Sequence, residues 1–169
     1  MEPIQNAQLL RLYKPVGEIT VLWGMIDHMV HFTGFAMIKY LGSKPDDHGG
    51  WPIMMGARTQ MIDKLFRHKD FEILKEKWKF VYKSLRHLQD LRDYLVHGAA
   101  SRYDTKKDAV LFVRIDRATN KQQKRQPEFS HNRTQMLVRF TTLEQAVRET
   151  EDLARNFEDL RREILALKP

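Results

Sequence analysis

Three residues near the middle of the chain could do proton and phosphate chemistry together: Arg92, Asp93 and His97. Histidine titrates near neutrality and can act as base or acid. Arginine stays charged and presents a planar fork that suits phosphate oxygens. Asp93 and His97 are four positions apart, so on a helix they are surface neighbours. Arg92 and His97 are five apart, roughly 140° around an ideal helix. They converge on one ligand if the last turn unwinds or if the long arginine side chain reaches around. A plainer reading is also open: a helix terminus where His97 favours the negative end of the dipole and Asp93 pairs with it.

The element that must position them runs from about Phe71 to His97. Leu74, Trp78, Val81, Leu85, Leu88 and Leu95 recur at helical spacing and predict one apolar face. Gly98 follows directly, as the residue that tolerates positive φ just past a helix end. Arg92 comes two turns after Leu85 and so falls on the apolar stripe. A charge there needs a partner, a second subunit or a function, because burying it alone is costly.

The run Arg92-Asp93-Tyr94-Leu95-Val96-His97, at the end of a long helix and followed by Gly98, resembles the R-x4-6-H motif of the HEPN superfamily. The resemblance covers the helical frame and not the segment from about Arg102 to Phe140. It implies a small helical bundle, a homodimer, and a metal-independent endoribonuclease with no cofactor and no metal. It assigns the catalytic role to Arg92, Asp93 and His97. RNA would be cleaved through a 2′,3′-cyclic phosphate, which requires removing a 2′-hydroxyl proton, stabilising charge on the phosphorane and protonating the 5′-oxygen. A two-fold dimer would supply two arginines and two histidines across a cleft. Asp93 stands where the family commonly has asparagine; its assigned role is to orient His97 and raise its pKa. A toxin or defence component, held by a neutralising protein partner, is the corresponding biological role.

The bounds are consistent with this. At 169 residues the chain reads as a single domain with enough length for a core. It has no cysteine, hence no disulfide frame and no thiolate metal site. There is no basic-then-apolar signal pattern, and no charge-free apolar run near the ~20 residues that span a bilayer. The expectation is a soluble, cytoplasmic protein without a membrane partner. The net charge of +7 favours polyanionic partners without naming one.

In chain order, Met1–Lys14 reads as a mixed lead-in. Pro15 then suits the start of a helix over 16–41, carried by Ile19, Leu22, Trp23, Ile26, Val30 and Met37. Gly24 and Gly34 are sites for close approach. Residues 42–56 are a glycine- and proline-rich loop, and helices are predicted over 57–67 and 71–97. Short runs at 109–116 and 136–141 read as the strands of an inserted β-hairpin. Between them, residues 117–133 carry five basic residues against one glutamate, which predicts a long basic loop. Lys121, Lys124 and Arg125 are its nucleic-acid-binding candidates. Thr141-x-x-Glu144 fits a capping box for a final helix over 142–167. The fold class is therefore mainly α, a HEPN-like helical bundle with a β-hairpin before the C-terminal helix.

Other clusters read more plainly. Asp46-Asp47-His48 is a polar turn rather than a metal site, and His28 with His31 is packing or an Asp27–His31 surface pair. Two further functions remain open: a catalytically silent HEPN-like module that binds a partner protein or nucleotide, and a nucleic-acid-binding protein acting through the 117–133 loop. Loss of activity on His97→Ala selects the enzyme, and salt-dependent binding without cleavage selects the basic loop.

Overall fold

The apolar spacing between Ile19 and Met37 forms a helix, but the helix is longer than its stripe. A computed structural model describes residues 1–117 and 131–167, with side chains described outside 115–117 and 131–133. Helix α1 spans Asn6–Tyr40 and contains Pro15 in its interior. The sequence places the start at Pro15 because proline lacks the N–H that an interior turn uses. The helix instead begins a good two turns earlier, where the Gln5 carbonyl accepts Leu9 N–H at 3.1 Å. Leu12 is buried and Arg11 is anchored by an ion pair, so tertiary contacts offset the missing bond.

Three more helices follow: α2 (Met55–Leu65), α3 (Lys75–His97) and α4 (Phe140–Ala166). The residues just before α3, Lys69–Leu74, form a 3-10 turn rather than its first α-helical turn. Helix α4 begins at Phe140, ahead of the two threonines, because Phe140 N–H already donates to the Asp108 carbonyl at 3.1 Å. Thr141 and Thr142 therefore lie inside the first turn and not at its cap.

The expected two-stranded hairpin is part of a four-stranded antiparallel sheet in the order β1-β2-β3-β4. Its strands are β1 (Glu2–Pro3), β2 (Ala99–Asp104), β3 (Ala109–Arg117) and β4 (His131–Arg139). The first two lack the β-branched signal, and backbone pairing makes them extended, β2 along β3 and β1 along β2. β4 starts well before the apolar run, because it pairs with β3 residue for residue from Arg117↔His131 to Ala109↔Arg139. The architecture is thus mainly helical with a small sheet.

The chain gathers into two compact units. The first comprises Met1–Thr20 and Gln89–Val147. Val110, Phe112 and Val138 alternate into its core, the period-two pattern of a half-buried sheet. Asp108, in the left-handed region at φ 46, is its knot. The carboxylate accepts both Arg11 guanidinium nitrogens, at 2.9 and 3.0 Å, and the Tyr103 hydroxyl at 2.7 Å. Arg11, and then Tyr103, hold the Asp108 carboxyl below the usual carboxylate range. Arg11 also lies 3.8 Å over the Phe140 ring, a cation–π contact.

The second unit comprises Val21–Leu88 and the chain from Arg148 on. Trp78 stacks on Phe66 at 5.0 Å, meets Phe157 edge-on, and donates its indole N–H to Asp63 at 3.0 Å. Here α1 is long and apolar enough, by length and composition, to cross a membrane. Its Ile26, Val30, Met37 and Ile38 side chains are buried. The 42–56 loop is pinned to α1 by Trp51, whose ring packs where a Cβ on Gly34 would overlap it. Gly34 therefore admits a loop tryptophan, while Gly24 faces open space. Asp27 pairs with Arg58 at 3.1 Å, not with His31.

His31 Nδ1 accepts the Trp51 indole N–H at 3.0 Å, which requires a lone pair and suits the neutral ring. Burial, and after it the charge of Arg58, push the His31 pKa below 6.5. Protonation is then easier in the unfolded chain. The stability carried by this contact is full above about pH 6.5 and falls as pH drops from there through the lowered folded value. Thermal melts from about pH 8 to about pH 5 should show this decline in the wild type. His31→Gln, whose amide oxygen still accepts the indole proton, should lose part of it. Parallel pH profiles for the two proteins would refute the assignment.

Candidate functional site

The C-terminal turns of α3 remain helical through His97, so the last turn does not unwind. The arginine reaches instead. Arg92 Nη1 lies 3.2 Å from His97 Nε2 and donates to Asp93 Oδ1 at 2.9 Å. Arginine can only donate, so in this arrangement Nε2 is the lone-pair side of a neutral imidazole. A nitrogen with a lone pair, held beside a fixed cation, is the form that can accept a proton.

Asp93 behaves differently from the expectation that it orients His97. Its carboxylate faces two guanidiniums: Arg92 on one oxygen and Arg114 Nη1 at 3.9 Å from the other. A carboxylate gains more from permanent cations than from a neutral imidazole. Asp93 therefore tethers the arginine that reaches the histidine. Side-chain exposures of 26% for Arg92, 29% for Asp93 and 23% for Arg114 leave all three open to a ligand while shielding them from bulk water. His97 itself is exposed.

Arg114 is the residue that sequence reasoning missed. It sits on β3 with its Cζ 4.7 Å over the Tyr94 ring. A signal for it was present. Val110 and Phe112 are buried, and Arg114 continues the same strand face at period two. It is an inward-facing charge in a strand, as Arg92 is a charge on a helix stripe.

Gly98 brings strand and helix together, in a different way from the positive-φ cap that the sequence suggests. Positive φ occurs at Gly42, Gly49 and Gly50 but not at Gly98. Its N–H continues the helical pattern to the Tyr94 carbonyl at 2.9 Å. A Cβ there would overlap the Tyr94 carbonyl oxygen and stand 3.4 Å from the Val113 carbonyl oxygen of β3. The missing side chain is thus a close-approach requirement of the helix's own last turn, with the β3 carbonyl at ordinary van der Waals distance.

The other candidates lie elsewhere. Lys121, Lys124 and Arg125 lie outside the described residues. Asp47 accepts the Lys44 backbone N–H at 2.7 Å and His48 Nε2 is 2.9 Å from Ser43 Oγ, the bonding of a polar turn. Among the described residues no three His, Asp or Glu side chains gather in a metal-holding group.

Gly98→Ala should cost about 1–3 kcal/mol of stability, the range for forcing extra atoms into a packed site. Urea denaturation checks the cost. An unchanged midpoint would show that the helix end does not need this approach.

The chain matches no protein-family model, no curated protein and no solved structure, so its own residues carry the functional argument.

Proposed function

We propose that this protein is a HEPN-type, metal-independent endoribonuclease that acts as a homodimer, in the role of a toxin or defence component. The observation that carries the reading is the Arg92 guanidinium 3.2 Å from His97 Nε2 at the open end of α3. The mainly helical architecture and the Arg92-to-His97 spacing agree with the resemblance.

In the proposed reaction the His97 imidazole takes the 2′-hydroxyl proton. The 2′-oxygen then bonds to phosphorus, and the bond from phosphorus to the 5′-oxygen breaks. A proton returns to that 5′-oxygen, leaving a 2′,3′-cyclic phosphate and a free 5′-hydroxyl. Arg92 donates to the non-bridging oxygens as their charge grows. Asp93 keeps that guanidinium in place. One imidazole cannot be base and acid in the same event, so the second proton comes across a two-fold axis from the partner protomer's His97, which must be in its protonated form while the first is neutral. Support for association comes from the exposed apolar side chains of α1: Val21, Met25, Phe32 and Phe35.

Purified protein with RNA in chelator should cleave, and the products should carry cyclic phosphate ends. His97→Ala should lose ~10²–10⁴-fold in rate, the usual cost of removing a positioned proton-transfer group, and Arg92→Ala about 10²–10³-fold, the cost of removing a donor to the developing charge. Arg92→Lys should recover only part, since ammonium keeps the charge and loses the fork. Cleavage that vanished in chelator would end the mechanism, and wild-type inactivity on varied RNAs would favour the silent-module reading.

Association has its own test. Light scattering at micromolar protein should give twice the mass of the 20.1 kDa chain. A monomer throughout would remove the source of the second proton.

A further inference from the structure

We infer that Arg114 is a second phosphate-binding arginine of this site, holding the phosphodiester next to the one that is cleaved. The inference rests on the ribonuclease reading above and extends it from one bond to the strand that carries it.

The argument begins with the strand. Arg114 shares the face of buried Val110 and Phe112, so its stem enters the structure and its head emerges at the end of α3. The head lies over the Tyr94 ring, at 4.7 Å from guanidinium carbon to ring centroid. It is tied to Asp93 at 3.9 Å, an ion-pair distance longer than a hydrogen bond. Arg92, on the other oxygen, is bonded at 2.9 Å. The two arginines thus come from different elements and flank a single carboxylate.

Geometry separates the two arginines by role. Arg92 touches His97, so it belongs to the phosphate whose bond is broken. Arg114 has the carboxylate of Asp93 between itself and Arg92, so it meets a neighbouring phosphate. A guanidinium offers five N–H donors, so contact with Asp93 and with a phosphate can coexist. The cation–π contact with Tyr94 holds the guanidinium in place before RNA arrives, which lowers the ordering cost of binding. Arg114 is therefore a binding residue that acts through affinity and register, and the bond-breaking step itself remains with Arg92 and His97.

The test reads binding and cleavage separately. Binding uses a short 2′-deoxy oligonucleotide, which has no 2′-hydroxyl and cannot react. Arg114→Ala should bind it about tenfold more weakly. The slope of log affinity against log salt should shrink by about one, as for the loss of one phosphate contact. Arg114→Gln keeps the stem and should show the same lower slope, which guards against a misfolded alanine variant. On RNA, both variants should raise KM and leave kcat close to wild type. A purely structural arginine would lower the amount of folded protein without changing the salt slope. If affinity and slope are unchanged while the wild type cleaves RNA, the inference is overturned and the ribonuclease reading stands. If the wild type does not cleave but Arg114→Ala still loses affinity and slope, the phosphate contact stands and the ribonuclease reading falls.

Discussion

The close approach of the β3 backbone to the last turn of α3 is the constraint on which the candidate site depends. Only Gly98 separates the end of the helix at His97 from the start of β2 at Ala99. With no loop to absorb error, the helix end sets the register of β2, and Ala99 is paired with Val113. Arg114 is the next residue on β3. A slip of one residue would turn Arg114 to the opposite face of the sheet, away from Asp93 and Tyr94. A one-residue link thus couples a helix terminus to a strand register, and glycine fits there because a Cβ would overlap the Tyr94 carbonyl oxygen of the helix itself. The correction for a mismatch lies one step along β2, where pairing shifts between Ala100 and Arg102. A bulge at that point lets the rest of β2 regain its pairing with β3 without moving the helix end.

The other end of β3 is held by different physics. Asp108 precedes it in a left-handed conformation, with Asp104 capping the turn through the backbone N–H groups of Lys106 and Lys107. The Asp108 side chain then collects Arg11 and Tyr103, and its carbonyl takes the first N–H of α4. One aspartate therefore fixes the start of β3, the N-terminal turns of α1 and the first turn of α4. Because Arg11 depresses its pKa, this knot stays charged to lower pH than an ordinary aspartate would. The ion pair is half exposed, so its weight lies in geometry more than in free energy.

The helices were legible where the apolar spacing was regular. Leu74 just before α3 and Trp78, Val81, Leu85, Leu88 and Leu95 on it are all buried, as are Leu143, Leu153, Phe157, Leu160 and Ile164 on α4. The boundaries were less legible, because tertiary bonds set them. Pro15 argues locally for a helix start, yet Arg11 and Leu12 find partners that carry the helix past it. Strand β2, Ala-Ala-Ser-Arg-Tyr-Asp, has no β pattern of its own and is extended through its pairing with β3. In the site, the neighbours along α3 were readable from spacing. Which acid held which base was not. Asp93 is as near to His97 by helical position as to Arg92 by sequence, and only the arrival of Arg114 from a distant strand shows that the carboxylate belongs to the arginines.

Two charges that interrupt apolar patterns meet at one carboxylate, and this says more about the site than the short motif does. A pattern of an arginine and a histidine a few residues apart occurs in many solvated helices, where neither residue costs anything. A charge on an inward-facing position does cost something, in desolvation and in lost packing. Arg92 breaks the stripe of α3 and Arg114 breaks the buried face of β3, and the fold brings the two breaks to Asp93. Replacing such a cluster by apolar residues of similar volume is often neutral or stabilising in proteins generally. A fold that keeps two inward arginines at a helix end beside an exposed histidine therefore forgoes stability it could have had. Under the proposed reading, the chemistry that repays two guanidiniums and an imidazole in one open cluster is the chemistry of phosphate.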